Sequence, residues 1–185
     1  MKTLFKKILV LAVMFGTCTG YANDVIEVTT TSNYLEKGIL ISVSDASGEV
    51  IYSGQVNYNG NLSKLFDFTQ LEDGTYLVEI TKGFEIKIST IEVKNHLVIF
   101  SDADRKIIHK PVVRNKGATV FISKLSLNAD KMEVELYFEG ELIHSETVIG
   151  EKILNRVYKL DKTLQGNYTV AIRSEDKVFI DKFRI

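Results

Sequence analysis

Gly48-Glu49-Val50-Ile51-Tyr52-Ser53-Gly54-Gln55-Val56 and Gly140-Glu141-Leu142-Ile143-His144-Ser145-Glu146-Thr147-Val148 stand 92 residues apart and share glycine, glutamate, isoleucine, serine and valine in register. Carried forward without a gap from Gly48 to Val93, the same offset pairs 11 identical residues in 46. Unrelated chains of average composition would share roughly three. Leu62, Gly74, Tyr76, Val78, Ile80 and Ile88 meet Leu154, Gly166, Tyr168, Val170, Ile172 and Ile180. Upstream of Gly48 the apolar positions slip, with Ile41 and Val43 set against Val134 and Leu136. A loop shifted by one residue accounts for that. The chain reads as a duplication, and a repeat constrains every later inference about the fold.

Within each copy the pattern is short strands and turns. Ile39, Ile41 and Val43 alternate with polar neighbours, and Asp45-Ala46-Ser47-Gly48 turns the chain. Val50 to Val56 returns, Asn57 to Asn61 turns again, and Leu62 to Phe68 reads as the next strand. Leu71-Glu72-Asp73-Gly74 precedes an alternating Thr75 to Thr81, with Tyr76, Val78 and Ile80 on one face. Turns about every ten residues point to antiparallel sandwiches or barrels. The expected architecture is all-β: two tandem antiparallel β-sandwich repeats, immunoglobulin-like or fibronectin-like, over 23–101 and 102–185 after a cleaved signal. The boundary is placed at the turn Ser101-Asp102-Ala103-Asp104. Leu97 to Phe100 and Ile107 to Val113 are strand-prone and should extend the sheets, and Pro111 marks an edge or a strand end. A phase change from Ile86 and Ile88 to Ile91 and Val93 predicts a bulge at Ser89-Thr90. Val178 and Ile180 followed by Phe183 and Ile185 predict another at Asp181-Lys182.

The hairpin Ile41-Ser42-Val43-Ser44-Asp45-Ala46-Ser47-Gly48, followed by Leu71-Glu72-Asp73-Gly74-Thr75-Tyr76-Leu77-Val78-Glu79-Ile80, resembles the C-terminal sorting domains of type IX secretion in Bacteroidota and related small secreted β-sandwiches. The second copy keeps Leu164-Gln165-Gly166-Asn167-Tyr168, with leucine one position nearer the glycine. The resemblance implies an exported protein and secretion machinery as a partner. A sorting domain trails a large cargo, whereas upstream of the second copy stands only the first.

Residues 1–22 carry Lys2, Lys6 and Lys7, then the apolar run Ile8 to Phe15, then small residues to Ala22. This is the order of a secretory signal, cleaved before Asn23, and the run is too short to span a bilayer. Acylation at Cys18 is the second reading, although Phe15-Gly16-Thr17 fits a lipoprotein signal poorly. The expected location is therefore secreted, periplasmic or at the outer-membrane surface. Cleavage would leave 20 basic and 24 acidic side chains and no cysteine. A net charge of −4 offers no footprint for nucleic acid, and no disulfide could form.

No catalytic, metal or cofactor site is expected. His96, His109 and His144 lie in strand-like segments, outside any nucleophile elbow, and His144 falls opposite Tyr52 in the first copy. No His/Cys cluster suits zinc. Asp102 and Asp104, with Asp45 and Asp73, are read as turn formers and not as calcium ligands. Gly48, Gly74, Gly140 and Gly166 are assigned as structural turn glycines; at Gly74 and Gly166 a φ > 0 turn is expected, with Tyr76 and Tyr168 packed beside it like tyrosine corners. Asn57, Tyr58, Asn59 and Asn61 form the one loop with an exposed-looking aromatic, suited to a glycan or peptide. The expected function is a non-enzymatic binding or scaffolding module for a protein or glycan. A sorting component read through the second repeat is the alternative, and a hydrolase with a cleft between repeats ranks last.

Overall fold

The computed structural model describes residues 34–127 and 131–185. The expected signal region, with Cys18 and the expected cleavage before Asn23, lies outside them. Contacts divide the chain into two compact units: residues up to Lys82 with Lys87–Ile107, and Gly83–Ile86 with Ile108–Ile185. The fold is an all-β sandwich.

The first copy begins with strands β1 (Tyr34–Leu35), β2 (Leu40–Asp45), β3 (Val50–Gln55) and β4 (Gly60–Asn61). A helical turn α1 (Leu62–Leu65) and a 3-10 turn at Phe68–Gln70 follow, then β5 (Gly74–Lys82), β6 (Glu85–Lys94) and β7 (Leu97–His109). The second copy holds β8 (Val112–Lys116), β9 (Thr119–Ser126), β10 (Lys131–Phe138), β11 (Glu141–Ile149), β12 (Lys152–Lys159), β13 (Asn167–Ser174) and β14 (Lys177–Arg184).

One sheet runs β3-β2-β5-β6-β7 and another β11-β10-β13-β14, with β1-β4 and β12-β9-β8 as the smaller sheets. The first four strands of the larger sheets correspond one for one at the offset read from the sequence. Side-chain alternation then drives burial. Ile41, Val43, Tyr76, Val78 and Ile80 point into one core, and Val134, Leu136, Tyr168, Val170 and Ile172 into the other.

The one-residue slip is located in a turn. Val43 faces Val78 and Leu136 faces Val170, an offset of 93 in β2 and β10 against 92 in β5 and β13. Between β2 and β3, Asp45 N donates to the Glu49 carbonyl at 3.0 Å and closes the three residues Ala46-Ser47-Gly48, with Gly48 at φ +85; β10–β11 is the two-residue loop Glu139-Gly140, with φ +48 and +89. Positive φ at both loop residues is the type I′ geometry that suits a two-residue hairpin. Asp45 Oδ1 braces the longer loop, accepting from Ser47 N at 2.9 Å and Glu49 N at 3.0 Å. Each hairpin also bulges at the same place. Val43 pairs Tyr52 and Ser44 pairs Val50, leaving Ile51 over, while Leu136 pairs His144 and Tyr137 pairs Leu142, leaving Ile143 over.

The segments after Lys94 do join the sheets: β7 completes the five-stranded one, and β8 forms an edge of the three-stranded one, with Pro111 just before it. Several expectations need correction. Ser101 to Asp104 is not a turn but the middle of β7, since an edge strand tolerates polar residues that a central one would not. Leu62 to Phe68 is not a strand: Leu62–Leu65 makes one helical turn, Phe66 is extended, and a 3-10 turn starts at Phe68, where Asp67 Oδ1 caps Thr69 N at 3.1 Å; Leu62 is buried and Leu65 and Phe66 pack on the same core. Its counterpart Lys152–Lys159, richer in β-branched residues, is a strand.

No bulge interrupts β14. Its register with β13 is constant from Asn167↔Arg184 to Ser174↔Lys177. The inward residues are Phe179 and Phe183, which share one phase, and Val178 and Ile180 face outward. In β6 burial does change phase, from Ile86 to Ile91 and Val93, along an unbroken strand. Gly74 and Gly166 do not take positive φ. A Cβ at Gly166 would press on Phe138 (2.7 Å) and on the Glu139 carboxylate, so a side chain there would force one or both to shift. At Gly74 the nearest atoms belong to Tyr76 at 3.7 Å, an ordinary contact.

Candidate functional site

The outer face of the β12-β9-β8 sheet is the surface whose composition calls for an explanation. Register sets its side chains in rows. Leu125 lies beside Ile153; Ser123 stands between Val112 and Asn155; Phe121 between Arg114 and Val157; and Thr119 between Lys116 and Lys159. Phe121 is 42%, Leu125 39%, Ile153 57% and Val157 56% exposed. Beside Phe121, a groove of about 680 Å³ is lined by Val112, Arg114, Asn115, Lys116, Phe121 and Ser123. An apolar strip bordered at one end by Arg114, Lys116 and Lys159 is the pattern of a contact surface for apolar groups and anions.

This face comes from the phase of β9. Val120, Ile122, Lys124 and Ser126 are buried, so Phe121, Ser123 and Leu125 must face out. A lysine occupies a core position because Glu175, at φ +52 in the β13–β14 turn, meets it there. Lys124 Nζ lies 2.8 Å from Glu175 Oε1, with the side chains 0% and 5% exposed. Glu175 Oε2 has no protein partner. The sequence reading missed Lys124, Glu175, Phe121, Leu125, Ile153 and Val157. The available signal was that Thr119 to Ser126 carries large apolar residues in both phases.

A second cluster joins β11 to β12, the neighbouring edges of the two sheets of the second unit. Arg156 Nε donates to Glu146 Oε1 at 2.6 Å, Tyr158 Oη donates to Glu146 Oε2 at 3.1 Å, and His144 Nε2 stands 3.7 Å from the same oxygen. The Arg156 hydrogen bond holds the Glu146 carboxyl below its ordinary value, with smaller help from Tyr158 and His144. Burial, then Glu146, pushes the Tyr158 hydroxyl up. Glu146 is thus ion-paired with Arg156 and hydrogen-bonded by Tyr158. The cluster ties two strands together.

Tyr76 Oη donates to the Glu72 carbonyl at 2.8 Å and Tyr168 Oη to the Leu164 carbonyl at 2.9 Å, the same step of four residues in each copy. In the Asn57 to Asn61 loop, Tyr58 is 74% exposed. Asn59 Oδ1 accepts from Lys37 N at 2.7 Å, and Asn61 lies in β4, so the loop's polar groups are partly spent on the fold. Of the histidines, His96 is in the β6–β7 turn at φ +63 and not in a strand; His109 and His144 are in strands. Asp73 Oδ1 accepts from Asn95 N, 22 residues along the chain, at 2.9 Å, whereas Asp45 accepts within its own turn. Among the described residues no group of three His, Cys, Asp or Glu side chains could hold a metal ion. Among the same residues no helix is long and apolar enough to cross a membrane.

No curated protein matches the sequence. Among solved structures, a marsupial T cell receptor aligns with 81% of this chain at 11% identity and a TM-score of 0.33. The chain spans about half of that protein, 53%, and so remote a likeness carries no argument. A family model does match part of the chain: residues 22–94, ending where β6 ends, match the secretion system C-terminal sorting domain.

Proposed function

We propose that the chain is an exported, non-enzymatic β-sandwich module, duplicated within one polypeptide, that binds a protein partner through the outer face of β8, β9 and β12. The sorting-domain match over residues 22–94 supports export and the sandwich architecture. The binding role rests on one observation: four large apolar side chains, Phe121, Leu125, Ile153 and Val157, stay exposed in register beside Arg114 and Lys116. Scattered apolar residues are normal on surfaces, but here two exposed cross-strand pairs, Leu125 with Ile153 and Phe121 with Val157, share one face, with Ser123 and Asn155 between them. The complementary ligand is an acidic segment carrying apolar or aromatic side chains.

The test is a peptide and glycan binding screen on the exported chain, beside the variants Phe121→Ser and Arg114→Glu. Acidic, aromatic-bearing peptides should bind the parent and lose on the order of tenfold in affinity with either change, since one good contact is worth about 1.4 kcal/mol. Equal binding by parent and variants, or no binding by the parent, rejects this face.

A second reading is favoured by the family match itself: the first copy acts as a sorting element read by secretion machinery. Substituting exposed residues of the first copy, such as Tyr58→Ser or Leu40→Ser, would then lower export with folding intact, and changes at Phe121 would not.

A further inference from the structure

The corresponding strands β6 and β14 differ in what lies beyond them. β6 is followed in its sheet by β7, whereas among the described residues no strand lies beyond β14. The side chains record the difference. Ile91 and Val93 of β6 are 0% and 1% exposed, and their counterparts Phe183 and Ile185 are only half-buried. Ile88 is half-buried, and its counterpart Ile180 is 63% exposed, with Val178 at 54%. β14 therefore carries the apolar content of an interior strand at a sheet edge, an arrangement that invites another strand.

The peptide groups have a defined direction. Ile185 exchanges two hydrogen bonds with Gly166, at 3.0 and 3.1 Å. Alternation along the strand then directs the odd-numbered peptide groups of β14 at β13, and those of Val178, Ile180 and Lys182 at the open edge.

We infer that a second copy of this chain pairs antiparallel with β14 and continues the β11-β10-β13-β14 sheet across a twofold axis. The segment Lys177-Val178-Phe179-Ile180-Asp181 is complementary to its own reversal. Centred on Phe179, it sets Lys177 of each copy opposite Asp181 of the other and Val178 opposite Ile180, with the two Phe179 rings facing each other. A sheet continued with its inner faces on one side pairs residues of equal parity, so only residue-centred registers are allowed. Centring on Asp181 would oppose two carboxylates, and centring on Lys182 two ammonium groups, which like-charge pairing disfavours. Centring on Ile180 sets Val178 against Lys182. In the Phe179 register, Val178 and Ile180 exchange the inter-copy backbone hydrogen bonds through the groups that point outward, and four exposed aliphatic side chains come together.

The experiment is sedimentation equilibrium of the full chain with three variants. The parent should dimerise. Ile180→Lys, at a position exposed enough to leave the monomer's fold intact, should return it to monomer. Lys177→Asp should weaken dimerisation on the order of tenfold, and Lys177→Asp with Asp181→Lys should restore it, since the exchange keeps the complementarity. Amide exchange at Val178 and Ile180 should slow on dimerisation. A parent that stays monomeric throughout its soluble range overturns the inference, as does a dimer indifferent to Ile180→Lys. Failure of the double exchange to rescue Lys177→Asp overturns the register.

Discussion

Replacing Lys124 by methionine keeps the length and the apolar stem of the side chain and removes only its charge, which makes it a clean probe of the buried pair. Lys124 and Glu175 are 0% and 5% exposed and 2.8 Å apart, and Glu175 Oε2 already lacks a protein partner. Losing Lys124 strands the buried Glu175 carboxylate without a counter-charge. Breaking a buried pair from one side costs about 3–5 kcal/mol, because the remaining charge keeps its desolvation penalty and loses its compensation. Against a slope of roughly 1–3 kcal/mol per molar urea, the midpoint should fall by about 2 M. Lys124→Met with Glu175→Met removes both charges and should return to within about 1 kcal/mol of the parent, since apolar replacement of such pairs is close to neutral. Urea unfolding of the four proteins in the cycle, with amide exchange in β9 and β13 as the local readout, separates the terms. A loss below about 1 kcal/mol for Lys124→Met would refute the reasoning, because the pair would then be wet. So would a double variant as damaged as the sum of the singles.

Gly166→Ala should cost about 1–3 kcal/mol through overpacking against Phe138, while Gly74→Ala should stay within about 1 kcal/mol of the parent; thermal melts of the two, side by side, check it. Tyr168→Phe deletes the hydroxyl that donates to Leu164 and should cost about 1 kcal/mol, measured by urea titration. The second unit should lose stability in acid. Glu135 is held low by Arg173, Glu139 by the Asn167 N–H, Glu146 by Arg156 and Asp161 by the Thr163 N–H. A depressed carboxyl stabilises above its unfolded pKa, 4.5 for the glutamates and 3.8 for Asp161, and that contribution is lost as pH falls below those values. Protection factors of the amides in β10 and β13, each rate being referred to the intrinsic exchange rate at its pH, should therefore fall from pH 6 down to roughly pH 3, and a flat profile would contradict the assignment.

The strands of both larger sheets were legible in the chain because one face of each is buried and one is wet, so alternation survives in the sequence. Tyr76-x-Val78-x-Ile80 and Tyr168-x-Val170-x-Ile172 are the plainest cases. Turn chemistry was partly legible. Gly48 and Gly140 do sit at positive φ, but Gly74 and Gly166 do not, and the crowding at Gly166 comes from Phe138 on a strand distant in sequence. In β14 the apolar letters misled, since Val178 and Ile180 are written where a core reading expects burial, and the inward residues are their neighbours Phe179 and Phe183. The exposed strip on β9 and β12 escaped notice for the same reason.

Local letters settle which segments are extended, where they turn and that the two halves share a plan, because those features depend on neighbours one to four residues away. Which phase of β9 faces inward, whether Leu62 to Phe68 coils or extends, and which strand lies open at a sheet edge depend on partners dozens of residues distant. Lys124 is the clearest instance. Its burial follows from Glu175, 51 residues along the chain, and a pair that compensates only across that distance leaves no periodic trace.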